Sequence, residues 1–119
     1  MLSSAADIYV APMTRLFRAL GDGTRLRIVA LLSYGELCVC HIETALGLNQ
    51  STASRQLGIL KAAGIVTSRR DGNWIYYSID EQETPTVQQA LDVIVRAFGG
   101  EKRIERDHAK LRKSCGPSA

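Results

Sequence analysis

The feature that most constrains this chain is its punctuation between residues 39 and 64. Ile42, Ala45 and Leu46 recur at helical spacing and stop at Gly47. Glycine readily takes the left-handed conformation that ends a helix. Two residues on, Asn49 is a good N-cap. Ala53, Leu57, Leu60 and Ala63 then share one face of a second helix over residues 50–63, closed by Gly64. Two short helices joined by so tight a turn outline a helix-turn-helix. The second helix of such a pair enters the major groove of DNA. Its first two turns carry Gln50, Ser51, Thr52, Ser54, Arg55 and Gln56, side chains able to read bases or hold phosphates.

The next stretch of chain fits the same picture. Ile65 to Arg70 and Trp74 to Ile79 are rich in β-branched and aromatic residues and flank Asp71-Gly72-Asn73. That pattern predicts a β-hairpin. Set directly after a recognition helix it is a wing, with Arg69 and Arg70 near its tip as phosphate contacts. Trp74 and Tyr76 read as packing residues of the hairpin. Net charge supports a polyanionic partner: residues 49–78 and 101–113 are each net +3, and the remainder is net −3. The second block also reads as an ordinary solvated face.

The ends of the chain are helical. Val10, Met13, Leu16, Phe17 and Leu20 predict a helix over 9–20, with Pro12 in its first turn. Gly21-Asp22-Gly23 breaks it, and Asp22 or Thr24 caps a buried helix containing Leu26, Ile28, Val29, Leu31 and Leu32. After Pro85, Val87, Leu91, Ile94, Val95 and Phe98 stripe a helix over 86–98. Ile104, His108 and Leu111 continue the spacing into a charged segment, either a further helix or a frayed extension. The terminal stripes either pair two copies across a two-fold axis or pack within one copy. The expected fold is therefore mainly α with a β-hairpin (α+β), a winged helix-turn-helix dimerising through its terminal helices. With 119 residues, one domain is expected: residues 1–100 for DNA binding and dimerisation, and 101–119 as a charged extension carrying Cys115.

Several classes are excluded. No apolar run approaches the roughly 18 residues of a bilayer-spanning helix, and the opening MLSSAADIYVAPMTR lacks a secretory signal's basic and apolar regions. Three cysteines do not make a disulfide scaffold, so a cytoplasmic chain with reduced thiols is expected. No Ser-His-Asp set, phosphate loop or carboxylate pair suggests an enzyme. Cys-Val-Cys lacks the spacing and the βαβ setting of a thiol oxidoreductase. A winged helix that only binds proteins is disfavoured by the polar start of the 50–63 helix and the basic wing.

Residues 22–79 resemble the ArsR/SmtB family of metal-responsive winged-helix repressors, through GDGTRLRIVALL, GELCVCHI, LNQSTASRQLGILKAAGIV and RRDGNWIYYSI. The string Glu36-Leu37-Cys38-Val39-Cys40 is similar to the arsenic-sensing branch. The resemblance implies a homodimer that binds an inverted-repeat operator and releases it on binding trivalent arsenic. Arsenite, antimonite or an organoarsenical would be the inducer.

Cys38 and Cys40 carry that chemistry. Inside a regular helix, residues two apart project about 200° apart and cannot share one ion. They converge only if residues 38–40 are extended or irregular, as just before a helix start. A helix N-terminus would also lower the cysteine pKa. Thiolates suit soft ions, and trivalent arsenic makes three bonds. The branch pattern has a third cysteine three residues after the second, where this chain has Glu43, a poor substitute. The third donor is then Cys115, from either subunit, or an exogenous hydroxide, thiol or methyl group, the last favouring organoarsenicals. His41 is a lesser candidate. Asp92 and His108 are too few for the family's other metal site. The alternative signal is oxidation or alkylation of Cys38 and Cys40.

Overall fold

Two side-chain caps start the helices around which the molecule is built. Asp22 accepts from the Arg25 backbone N–H at 3.1 Å and opens α2 (Gly23–Leu32). Asn49 accepts from the Thr52 N–H at 2.8 Å and opens α4 (Gln50–Ala62). The computed structural model describes residues 5–113, with side chains from 10 to 111. Around these helices lie α1 (Ala5–Leu20), β1 (Leu37–Cys38), α3 (Val39–Leu46), β2 (Val66–Asp71), β3 (Trp74–Ile79), α5 (Pro85–Gly99), α6 (Lys102–Ala109) and a 3-10 turn (Lys110–Lys113).

The helix-turn-helix is α3 and α4. Gly47 sits at φ +69° as the left-handed stop between them. Ile42, Ala45, Ala53, Leu57 and Leu60 are fully buried. All but Ala53 join Leu16, Ile28, Leu31, Ile65 and Leu91 in one core. The β2–β3 hairpin pairs Asp71 with Trp74, so its tight turn is Gly72-Asn73, with Gly72 at φ +62°.

Two elements differ from expectation. The hairpin is part of a three-stranded antiparallel sheet in the order β1-β3-β2. The short β1 pairs Leu37 with Tyr77 and Cys38 with Tyr76. Two residues are too few for any alternation to show in sequence. Secondly, Pro12 lies inside α1 rather than in its first turn. Ala5-Ala6 are strong helix formers and continue the helix past a proline that costs it one hydrogen bond and crowds the carbonyl four residues back. Of the two forms expected for the charged segment after Gly100, the further helix is the one present, and it is docked. Ile104, Asp107 and Leu111 are buried.

That docking rests on a bidentate ion pair. Arg27 donates from Nε to Asp107 at 3.0 Å and from Nη2 at 2.7 Å, and the Asp107 side chain is 3% exposed. Nearby, Tyr34 stacks on His108 with ring centroids 4.0 Å apart and donates to the Gly99 carbonyl at 2.7 Å. Between them these contacts fasten the C-terminal helices to α2 and to the turn that leads into β1. Arg27→Ala strands a buried carboxylate and is expected to lower the unfolding free energy by about 3 kcal/mol. Arg27→Met combined with Asp107→Leu should recover most of it. Urea denaturation compares them, and equal losses would place the cost elsewhere.

Candidate functional site

The site begins where β1 becomes α3. Cys38 ends the strand and is also the N-cap of α3, with extended backbone at φ −67°, ψ 148°. Cys40 is already helical. This switch from extended to helical backbone turns the two side chains together, and their sulfurs lie 2.9 Å apart. Cys38 is buried and Cys40 half-buried. The irregular geometry that two sulfurs need for a shared ligand is thus present.

The protonation of Cys40 differs from the sequence expectation. The Cys40 thiol is pushed up to about 12, not lowered. Burial is the main cause. The Cys38 sulfur, through its hydrogen bond and its charge, adds to it. The His41 backbone N–H offsets only part. Two sulfurs in contact cannot both ionise without a ligand to share the charge.

Both thiols open into a cavity of about 270 Å³. Its walls come from three elements. Glu43 joins the cysteines from α3, Gln50, Ser54 and Leu57 come from α4, and Asn73, Trp74, Ile75 and Tyr77 come from the wing. The cavity therefore borders both the start of the recognition helix and the hairpin. Among the described residues, no three His, Cys, Asp or Glu side chains gather into a metal site. Asp92 bonds Gln88 and His108 stacks on Tyr34. Cys115 lies outside the described residues.

The helix surface sorts the DNA candidates. Gln50, Ser51, Ser54 and Arg55 are exposed and Thr52 is half-buried. No acidic residue stands in the first turn of α4, so its positive end is left open to phosphate. Gln56 is turned inward. It is 9% exposed, and its Oε1 accepts from Arg25 Nη1 at 2.8 Å. Helical spacing places residue 56 beside Ala53 and Leu60 on the buried side, which the run of polar names concealed. Arg70 is exposed. Arg69 is exposed too, but is held by Glu36 through two bonds of 2.7 and 2.8 Å and lies over the Tyr76 ring at 4.5 Å. That ion pair keeps the Glu36 carboxyl below its usual range. It ties the wing to the residue two before Cys38, a link that sequence separation hides.

His41 is fully buried, and neither ring nitrogen has a hydrogen-bond partner among the described residues. Burial pushes its pKa down, so the ring stays neutral in the fold. As pH falls below about 6.5, the unfolded chain takes up the proton first and stability falls with it. The loss ends at the lowered folded pKa. His41→Leu is expected to flatten urea stability between pH 7 and pH 5 and to leave it unchanged or higher at pH 7. A slope identical to wild type would assign the effect to another group.

Comparison with known proteins agrees with this architecture. Residues 22–68 match the family model described as "Bacterial regulatory protein, arsR family". The arsenic resistance transcriptional regulator ArsR1 of Pseudomonas putida is 42% identical over 82 residues, 68% of this chain and 61% of that protein. ArsR2 of the same organism is 39% identical over 83 residues, 69% of this chain and 72% of that one. Among solved structures, a homodimeric winged helix-turn-helix DNA-binding domain from Mycobacterium bovis, a possible ArsR-family regulator, is 34% identical. It superposes with a TM-score of 0.63 over 86% of this chain and 94% of that one. The chain thus spans less than two thirds of the length of ArsR1.

Proposed function

The chain belongs to the ArsR family of bacterial regulatory proteins, and from that premise we propose that it is a repressor released from its operator by trivalent arsenic or antimony. The observation that carries this reading is the pair of sulfurs 2.9 Å apart in a cavity walled by both DNA-facing elements. Arsenous acid has three hydroxyl groups. Each thiol that attacks the arsenic forms an As–S bond, and its proton leaves with a hydroxide as water. Protonated thiols such as Cys40 are therefore suitable partners. Cys115 is the proposed third sulfur. The 3-10 turn that precedes it packs against α3, and Lys113, the last residue of that turn, is only two residues away. The arsenic resistance regulators among its relatives favour this signal over oxidation or alkylation of the same cysteines.

DNA binding is proposed for a homodimer. Val10 and Phe17 on α1 and Val93 and Phe98 on α5 are large apolar side chains left exposed on two helices in contact. Covering them with a second copy would set the two α4 helices in successive major grooves of an inverted repeat. Gln50, Ser51, Thr52, Ser54 and Arg55 face the groove. Arg70 meets phosphate, and Arg69 joins it when it leaves Glu36. Gln56 stays out of the groove, as an internal strut between α4 and α2.

The shared walls account for release. A ligand on Cys38 and Cys40 pulls on β1, which is hydrogen-bonded to β3, and fills the space beside Gln50 and Ser54. Wing and recognition helix then no longer hold the spacing that the groove requires. A coupling of about 1–3 kcal/mol is typical of such linked sites and weakens DNA binding by about 5–150-fold.

Cys38→Ser and Cys40→Ser are expected to bind promoter DNA like wild type and to lose its release by arsenite, read by fluorescence anisotropy on labelled DNA under reducing conditions. Normal release by either variant would move the sensor elsewhere. Arg70→Ala should weaken binding to all sequences alike and reduce the slope of log affinity against log salt by about 1. Arg55→Ala should instead cost about 1–3 kcal/mol, mainly on the matched operator.

A further inference from the structure

Three helices meet at one guanidinium. Arg25 stands in the first turn of α2 and is half-buried. Its Nε donates to the Ala19 carbonyl at 2.7 Å and its Nη2 to the Arg18 carbonyl at 3.4 Å. Both oxygens belong to the last turn of α1, where a helix leaves carbonyls unbonded and carries partial negative charge. Nη1 donates to Gln56 Oε1 at 2.8 Å, in the middle of α4. Among the described residues no carboxylate pairs with this guanidinium. Its side-chain bonds all go to neutral oxygens on the two neighbouring helices. A guanidinium holds its donors in a rigid plane, so the direction of one bond constrains the direction of the others.

The other contacts of α4 restrain its depth more than its rotation. Ala53, Leu57 and Leu60 are buried and hold the helix to the core, but apolar attraction is non-directional. Lys61 donates to Ser68 at 2.7 Å, an exposed bond at the far end. A helix with its side chains is about 10–12 Å across, so a rotation of about 10° moves a side-chain tip by about 1 Å. That is enough to break a hydrogen bond whose heavy atoms must lie within about 3.2 Å. Gln56 directly follows Ser54 and Arg55, two of the exposed residues of α4. We propose, resting on the repressor function, that Arg25 is a positioning residue for operator recognition. Acting through Gln56, it fixes the rotation of α4 and so the reach of Ser54 and Arg55 to base edges. The other prong of the fork grips α1, which bears the exposed Val10 and Phe17 of the proposed dimer contact. Arg25 thereby sets the recognition helix relative to the two-fold axis as well as to its own core.

The test compares the reduced full-length protein on two fluorescent duplexes of equal length, its own promoter fragment and a shuffled sequence of the same composition, by anisotropy at one salt concentration. Gln56→Met keeps the side-chain volume and removes the acceptor. It is expected to weaken promoter binding about tenfold, the scale of one lost base contact, and to leave the shuffled duplex within about twofold. Arg25→Lys should reproduce that loss, because one ammonium on a flexible stem cannot hold both helices in a fixed plane. Gln56→Glu keeps the acceptor and should retain promoter affinity within about threefold. Promoter binding at wild-type strength by both Gln56→Met and Arg25→Lys overturns the proposal. So does an equal loss on both duplexes, which would assign the bond to folding alone. A loss in Gln56→Glu as large as in Gln56→Met also overturns it, by placing Gln56 in the groove. A wild-type protein that does not prefer its promoter to the shuffled duplex overturns the repressor function itself.

Discussion

The proposed sensor depends on two residues that have to be strand before their neighbours become helix. Leu37 and Cys38 pair with Tyr77 and Tyr76 on β3, and the next residue opens α3. Were residues 37–40 helical throughout, Cys38 and Cys40 would point to different sides of the helix. Pairing with β3 holds Cys38 extended. The same ladder is what joins the sulfurs to the wing, since Cys38 pairs directly with Tyr76. Glu36 and Arg69 reinforce that joint, with Arg69 stacked on the Tyr76 ring. Exposed ion pairs contribute little stability, so the backbone ladder, rather than the charges, keeps the geometry.

The recognition helix is restrained unequally along its length. Arg25 reaches from α2 to Gln56 and also donates to the Ala19 carbonyl at 2.7 Å, which ties the middle of α4 to α1 and α2. Lys61 donates to Ser68 at 2.7 Å and ties its far end to β2. The first two turns, with Gln50 and Ser54, border the cavity. In the proposed switch a ligand there would act on the end of a lever whose other points are fastened. The Arg27–Asp107 pair and the Tyr34–His108 stack keep the opposite side of α2 and the approach to β1 in place. His41, buried with no polar partner among the described residues, leaves this side of the core with an uncompensated desolvation cost.

Much of this was legible from residue order. Asn49, Gly47, Gly64 and the Asp71-Gly72-Asn73 turn act through their own backbone conformation or a bond three residues away, so their roles survive without knowledge of the fold. The apolar periodicity of α2, α4 and α5 was equally plain, because a helix has to bury one face whatever lies opposite. The cysteine pair was visible as chemistry, and the need for an irregular backbone there came from helix geometry. The inward turn of Gln56 was recoverable from its spacing to Ala53 and Leu60, since periodicity outranks polarity on a packed helix.

The remainder was decided by distant partners. Nothing local marks Leu37 and Cys38 as strand, because their hydrogen bonds come from residues some forty positions away. Nothing near Arg69 announces Glu36, nothing near Arg27 announces Asp107, and no string contains the cavity that Cys40, Ser54 and Trp74 share. The raised Cys40 thiol reverses the local expectation, since burial and a touching sulfur outweigh the field of a short helix. Sequence settles what depends on bonds within a few residues. Burial, desolvation and juxtaposition across the sheet are long-range sums, and only the folded chain performs them.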